Sequence, residues 1–126
     1  MSHIPNVKNF TYSEFGCKCG QCAYKSGRDI YPMIPLLAQQ IRDVLRRPLK
    51  VNSACRCDVH NVKIGSSLSS QHVAGQGFRA MDLDIKDPHE RAIAIRIALL
   101  EGASVGVNKD FLHFDFRGGF PIVFTY

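Results

Sequence analysis

The segment FLHFDFR (111–117) alternates apolar and polar residues. In an extended chain it therefore puts Leu112, Phe114 and Phe116 on one face and His113, Asp115 and Arg117 on the other. A polar triplet with an apolar back lines a site or faces water. Upstream, His72 stands in a run of small residues, SSLSSQHVAGQG, just ahead of AMDLDI, where Asp82 and Asp84 share one strand face and Met81, Leu83 and Ile85 the other. A histidine and a carboxylate can thus converge where loop meets strand. Neutral imidazoles with a carboxylate form a common catalytic zinc set that leaves a fourth position for water. The cysteines offer separate chemistry. Cys17, Cys19 and Cys22 followed by Cys55 and Cys57 supply enough thiolates for a second, structural zinc, although the spacing is unlike paired C-x-x-C knuckles. A metal clasp, a disulfide clasp and unlinked buried thiols all remain open. The odd count leaves at least one thiol unpaired in a monomer, and the clustering is unlike a secreted disulfide framework. His3, His60 and His89 read as packed or solvated side chains.

The elements that must position these groups follow from periodicity. In 33–46, Ile34, Leu37, Ile41 and Leu45 recur at spacings of three and four, which predicts a helix with one buried stripe, ending before Pro48. Residues 49–53 alternate as a half-buried strand, 58–62 suit a helical turn, 65–70 are loop, and 80–85 form the strand carrying Asp82. Asp87 and Pro88 supply an N-cap and first-turn proline for a helix to about Leu100, with Ile93, Ile97 and Leu100 facing inward and Gly102 past its end. Residues 104–107, 111–117 and 122–126 read as strands, the last two joined by a turn at Gly118 and Gly119, and 124–126 is placed to complete a substrate groove. Ahead of all these lie an irregular start, a helical turn capped at Ser13 with Glu14, and an ordered Gly- and Cys-rich loop at 16–27. This order predicts an α+β fold, a small antiparallel sheet with flanking helices.

A chain of 126 residues with 45% hydrophobic content suits a single domain spanning 1–126. Sixteen Lys and Arg against eleven Asp and Glu give a charge of +5, which favours encounter with polyanions without choosing among them. Nucleic-acid binding through the cysteine loop would use Lys18, Lys25 and Arg28 with Tyr24, thin support, and no nucleic-acid partner is expected. No apolar run is long enough to span a bilayer and the opening lacks a secretory pattern, so the expectation is synthesis in the cytoplasm and no membrane insertion.

Four segments in order, NFTYSEFGCKCG, SACRCDVHN, SQHVAG with AMDLDI, and DFLHFDFR, resemble the M15 family of zinc peptidases. That family holds D-alanyl-D-alanine carboxypeptidases, L-alanyl-D-glutamate endopeptidases and many phage endolysins, with a hedgehog/D,D-peptidase-like fold. The resemblance spans most of the chain. It implies His72, Asp82 and His113 as zinc ligands, Asp110 as general base, Arg56 as the holder of a substrate carbonyl or carboxylate, and Ser70 as support for the metal motif. Asp115 is placed to fix an imidazole tautomer. The first histidine and the aspartate stand ten positions apart where the family usually has seven, which looks like a three-residue insertion within QGFR and keeps Asp84 as the alternative third ligand. Family openings often carry cysteines, so the loop at 17–22 would lie against Cys55 and Cys57 as a clasp.

The expected activity is hydrolysis of an amide bond in the peptide stem or cross-link of peptidoglycan, by an endopeptidase or a D,D-carboxypeptidase. The expected setting is a monomeric phage-type lysin or virion component acting on cell wall. The alternative is a zinc-bearing binding module without catalysis, against which Asp110 argues.

Overall fold

The computed structural model describes residues 3–65, 70–73 and 76–126. It begins with a hairpin where an irregular start was expected. Strands β1 (His3–Ile4) and β2 (Val7–Thr11) pair antiparallel around Asn6, whose φ of 64° is the left-handed conformation that asparagine tolerates in a turn. Strands this short show no period in sequence. Ile4, Val7 and Phe10 are buried, and Gln39 fastens the hairpin to helix α1 (Met33–Leu45). Its amide accepts the Asn9 N–H at 2.9 Å and donates to Asn9 Oδ1 at 2.8 Å.

Of the predicted α1 stripe, Ile34, Leu37 and Ile41 are buried, together with Ala38, and Leu45 at the helix end is partly buried. The helix stops at Leu45 because Arg46 turns left-handed at φ 56° and returns its N–H to the Arg42 carbonyl. Arg47, next in line, is kept from helical geometry by Pro48. Thr11 begins a short 3-10 turn (Tyr12–Phe15), where its N–H donates to Glu14 at 2.7 Å.

The principal sheet holds β3 (Val51–Ser53), β4 (Ala80–Leu83), β5 (Ser104–Val107), β6 (Leu112–Asp115) and β7 (Val123–Thr125) in the order β3-β4-β6-β5-β7. Neighbours run antiparallel except β5 and β7, which are parallel. The α+β expectation holds, but the hairpin expected at Gly118 and Gly119 does not. The chain reverses there, yet β6 already has β4 and β5 on its two edges, so β7 passes over β5 and pairs on its far side. Val105 N–H to the Ile122 carbonyl (2.8 Å) and Ile122 N–H to Ser104 Oγ (3.0 Å) pin the arrival.

Helix α2 (Asp58–Lys63) fits the predicted turn, with Cys57 as its N-cap. Helix α3 (Pro88–Leu100) starts as expected, Asp87 accepting the Glu90 N–H at 3.0 Å. Its inner face differs from expectation. Ala94 and Ala98 are fully buried, whereas Ile93 and Leu100 are exposed, Leu100 at 79%. The helix packs against α1 and β5, and small side chains allow that approach while Ile95, Ile97 and Leu99 pack at its flanks. Most of the loop expected at 65–70 lies outside the described residues. Among the described residues no helix is long and apolar enough to cross a membrane.

The cysteine loop is ordered by two glycines at its neck. A Cβ on Gly16 would meet the Lys25 carbonyl oxygen at 1.9 Å, and one on Gly27, whose φ is +78°, would meet that of Tyr12 at 1.7 Å. Gly27→Ala is therefore expected to lower stability by more than about 1 kcal/mol, since alanine meets both strained backbone and a clash. A denaturant midpoint equal to that of the parent would refute this close approach.

Candidate active site

Strands β4 and β6 are neighbours, and their register sets Asp82 directly across from His113. His72 arrives from the segment after α2 and is anchored by its own carbonyl, which accepts the Arg56 N–H at 2.9 Å. Three atoms converge. His113 Nδ1 is 2.9 Å from Asp82 Oδ1, and His72 Nε2 is 3.2 Å from each of them. All three side chains are buried at the floor of a cleft of about 390 Å³, whose walls include Arg56, Ser70, Phe111 and Tyr126. Tyr126, directly after β7, thus lines the cleft.

Both imidazoles are held from behind. His72 Nδ1 lies 2.8 Å from the Ala54 carbonyl oxygen, which can only accept, so Nδ1 carries the proton and Nε2 presents a lone pair to the cleft. His113 Nε2 lies 2.6 Å from Asp115 Oδ2, leaving Nδ1 as its inward lone pair. Asp115 in turn takes three bonds from Arg117, at 2.8 Å from Nε, 2.7 Å from Nη2 and 3.2 Å from the backbone N–H. Asp115 and Arg117 are therefore an ion pair on the sheet face and, at the same time, the support of His113.

Charge follows this geometry. Burial pushes His72 down from its ordinary value and keeps it neutral. Burial acts the same way on His113, but hydrogen bonds to Asp115 and Asp82 outweigh it and hold the ring's affinity for a proton up. For Asp82, burial is overcome by hydrogen bonds with His113 and His72, so the carboxyl stays well below the usual carboxylate range. Burial of Asp115 is likewise overcome, by Arg117 and His113, bringing it to about 2. Two imidazole lone pairs and a carboxylate oxygen this close repel unless a proton or a cation lies among them. The donor set fits zinc: nitrogen and oxygen ligands, each imidazole backed by an acceptor, with one side open to the cleft.

Asp115→Ala removes the acceptor that fixes the His113 tautomer. Metal affinity should fall about 10–100-fold, as measured by competition with a chromogenic chelator. An unchanged affinity would mean that Asp115 serves only Arg117.

Asp84, the alternative ligand, lies past the end of β4, pairs with Lys86 at 3.1 Å and is outside the group. Ahead of Asp82 the chain turns at Gly77 and Phe78, both with positive φ, where the Gln76 and Phe78 N–H groups share the Val73 carbonyl. Phe78 is buried against Tyr24, with ring centroids 4.8 Å apart.

Arg56 is buried and reaches Asp82 Oδ2 at 3.3 Å, so Asp82 gives one oxygen to the imidazoles and the other to the guanidinium. Ser53 Oγ at 3.0 Å and Asn61 Oδ1 at 3.2 Å hold the rest of the fork. Among the described residues these bonds take three of its five N–H groups. Ser70 Oγ accepts the His72 N–H at 3.2 Å. Asp110 is exposed in the turn between β5 and β6, next to the cleft-lining Phe111. That turn is clamped by Arg91 of α3, whose Nη2 donates to the carbonyls of Asn108 (2.6 Å), Lys109 (3.3 Å) and Phe111 (3.4 Å). Arg91 had no motif to announce it.

The cysteines divide. The Sγ atoms of Cys17, Cys19, Cys22 and Cys57 all lie within 4.8 Å of one another, while Cys55 is buried in the apolar core. Cys55 thus drops out of the expected clasp, because an extended C-x-C sends its two side chains to opposite sides. Burial pushes the Cys55 thiol up to about 12.

Two imidazoles and a carboxylate, backed by hydrogen bonds and open to a cleft beside a guanidinium, form the arrangement from which metallohydrolases are built. The family model described as Peptidase M15 matches residues 8–115, and the chain belongs to that peptidase family. Among curated proteins none matches it.

Proposed function

We propose that this protein is a zinc metallopeptidase that hydrolyses an amide bond in the peptide stem or cross-link of bacterial peptidoglycan. The observation that carries the reading is the convergence of His72, Asp82 and His113 at the floor of a cleft in an M15 peptidase chain. These three residues would hold the zinc, which when bound polarises a carbonyl and makes water acidic enough to attack near neutral pH. Arg56 receives the carbonyl oxygen, or the terminal carboxylate of a stem peptide, through its guanidinium. Asp110 takes the proton of the attacking water and delivers it to the leaving amine. Ala54 and Asp115 keep both imidazoles in the tautomer that faces the cleft, and Phe111 and Tyr126 wall the peptide in. An excess of positive charge draws the enzyme to anionic wall. A monomer made in the cytoplasm and carried to the wall as a phage-type lysin or virion component fits this chemistry.

The test is digestion of purified peptidoglycan of several stem types by the zinc-loaded protein and by its chelator-treated form, with fragments and new termini read by mass spectrometry. New termini from the zinc-loaded protein alone are expected, and they identify the bond. A protein that binds zinc in the cleft stoichiometrically and cleaves no wall type would overturn the reading in favour of a zinc-bearing binding module.

A further inference from the structure

The second convergence of metal-ligating side chains lies outside the cleft. Cys17, Cys19 and Cys22 come from the loop closed at Gly16 and Gly27, and Cys57 from the N-cap of α2. Cys17 Sγ is 3.5 Å from that of Cys19 and 3.8 Å from that of Cys57, and Cys19 and Cys57 are 3.9 Å apart. Four thiolates around a tetrahedral zinc with bonds of about 2.3 Å stand about 3.8 Å from one another. The triangle seen here has those edges. It does not suit disulfides: one sulfur cannot bond two others, and a bond of about 2.0 Å between any two would break the triangle.

Backbone donors also meet the sulfurs: the Cys57 N–H points at Cys17 Sγ and the His60 N–H at Cys57 Sγ, both at 3.4 Å. Four thiolates on one divalent cation leave a net negative charge, and Lys18 and Lys63 line the adjoining cavity. Four protein ligands also leave no open position, as in structural rather than catalytic zinc sites.

We infer that Cys17, Cys19, Cys22 and Cys57 bind a structural zinc ion that clamps the N-terminal loop to α2. The clamp has a function in the cleft. Cys57 follows Arg56 directly, and the segment it fixes carries Ser53, Arg56 and Asn61, the side chains that hold the guanidinium beside Asp82. A second tie runs alongside, the Cys55 N–H donating to the Phe15 carbonyl at 3.0 Å. The ion would therefore act as a positioning element for Arg56, remote from the reacting atoms.

The experiment counts metal in protein purified under reducing conditions and reads cobalt spectra after reconstitution. The full chain should hold two zinc ions, a His72→Ala/His113→Ala variant one, and a Cys19→Ser/Cys22→Ser variant one. The cobalt-loaded full chain and the histidine variant should both show an intense sulfur-to-cobalt charge-transfer band, which nitrogen and oxygen ligands do not produce. Should the cysteine variant fail to fold, the cobalt spectrum of the unmutated chain decides. The inference is overturned if that spectrum lacks the thiolate band. It is also overturned if the intact mass of the native protein shows these cysteines paired in disulfides.

Discussion

Replacing His72 by alanine should empty the cleft of zinc and abolish hydrolysis while leaving the sheet folded. Its Nε2 is one of the three inward lone pairs, and no other described side chain stands ready to replace it, since the group consists of His72, Asp82 and His113 alone. The loss should exceed the roughly 10–100-fold in affinity that follows removal of an outer hydrogen-bond partner. His72 is also the member of the group least tied to the sheet. It lies outside β4 and β6, and its removal leaves the Ala54 carbonyl without its imidazole, a cost of about 1–3 kcal/mol. Asp82 would be a less clean choice: without it the buried Arg56 guanidinium loses its counter-ion, and stranding a buried charge costs about 3–5 kcal/mol. Zinc content together with peptide release by the His72→Ala protein checks the expectation. A variant that keeps full metal and full rate would remove His72 from the site. If the thiol cluster holds its own ion, the count falls by one and not to nothing, so the two sites are read separately.

How far the sequence foretold this site depends on the kind of information each feature needs. Strand alternation specifies which side chains share a face, so His113 with Asp115 is legible from FLHFDFR, and Met81, Leu83 and Ile85, grouped on one face, are all buried. Alternation did not separate Asp82 from Asp84. That choice depends on where the strand ends, and β4 stops at Leu83, leaving Asp84 half-exposed beside Lys86. Periodicity is also silent on which strands are neighbours. Two glycines and a change of direction look the same whether the next strand pairs with β6 or passes over to β5, and only the occupation of both β6 edges decides.

Helix α3 shows a related limit. Spacing and size point to Ile93, Ile97 and Leu100 as its buried face, yet close packing on α1 and β5 selects alanine, so proximity governs over size. Hydrogen bonds to backbone were invisible altogether. The Ala54 carbonyl that sets the His72 tautomer and the carbonyls gripped by Arg91 carry no residue-type signal. Ser53, Arg56 and Asn61 all fall within the family-like segment SACRCDVHN, and here they make one hydrogen-bonded unit.

Asp110→Ala should reduce hydrolysis by about 10²–10⁴-fold, the range expected when a general base is removed, without loss of zinc or fold. Asp110 is exposed, and surface substitutions away from packed features usually change stability by no more than about 0.5 kcal/mol. Its backbone, by contrast, is well held: the Asp110 N–H donates to Asn108 Oδ1 at 2.9 Å, and Arg91 fastens the carbonyls on either side. The turn thus offers a carboxylate on a fixed base beside Phe111 at the cleft wall, solvated until substrate excludes water. Catalytic contacts of this kind tighten when substrate is bound. Asp110→Glu, which keeps a carboxylate on a longer arm, should recover part of the rate, whereas Asp110→Asn should not, since an amide cannot accept the proton. Rates for the three variants, each at verified zinc content, separate a base from a bystander. If alanine leaves the rate unchanged, proton transfer belongs to another group. If all three variants lose zinc as well, Asp110 acts through the metal group and not on the attacking water.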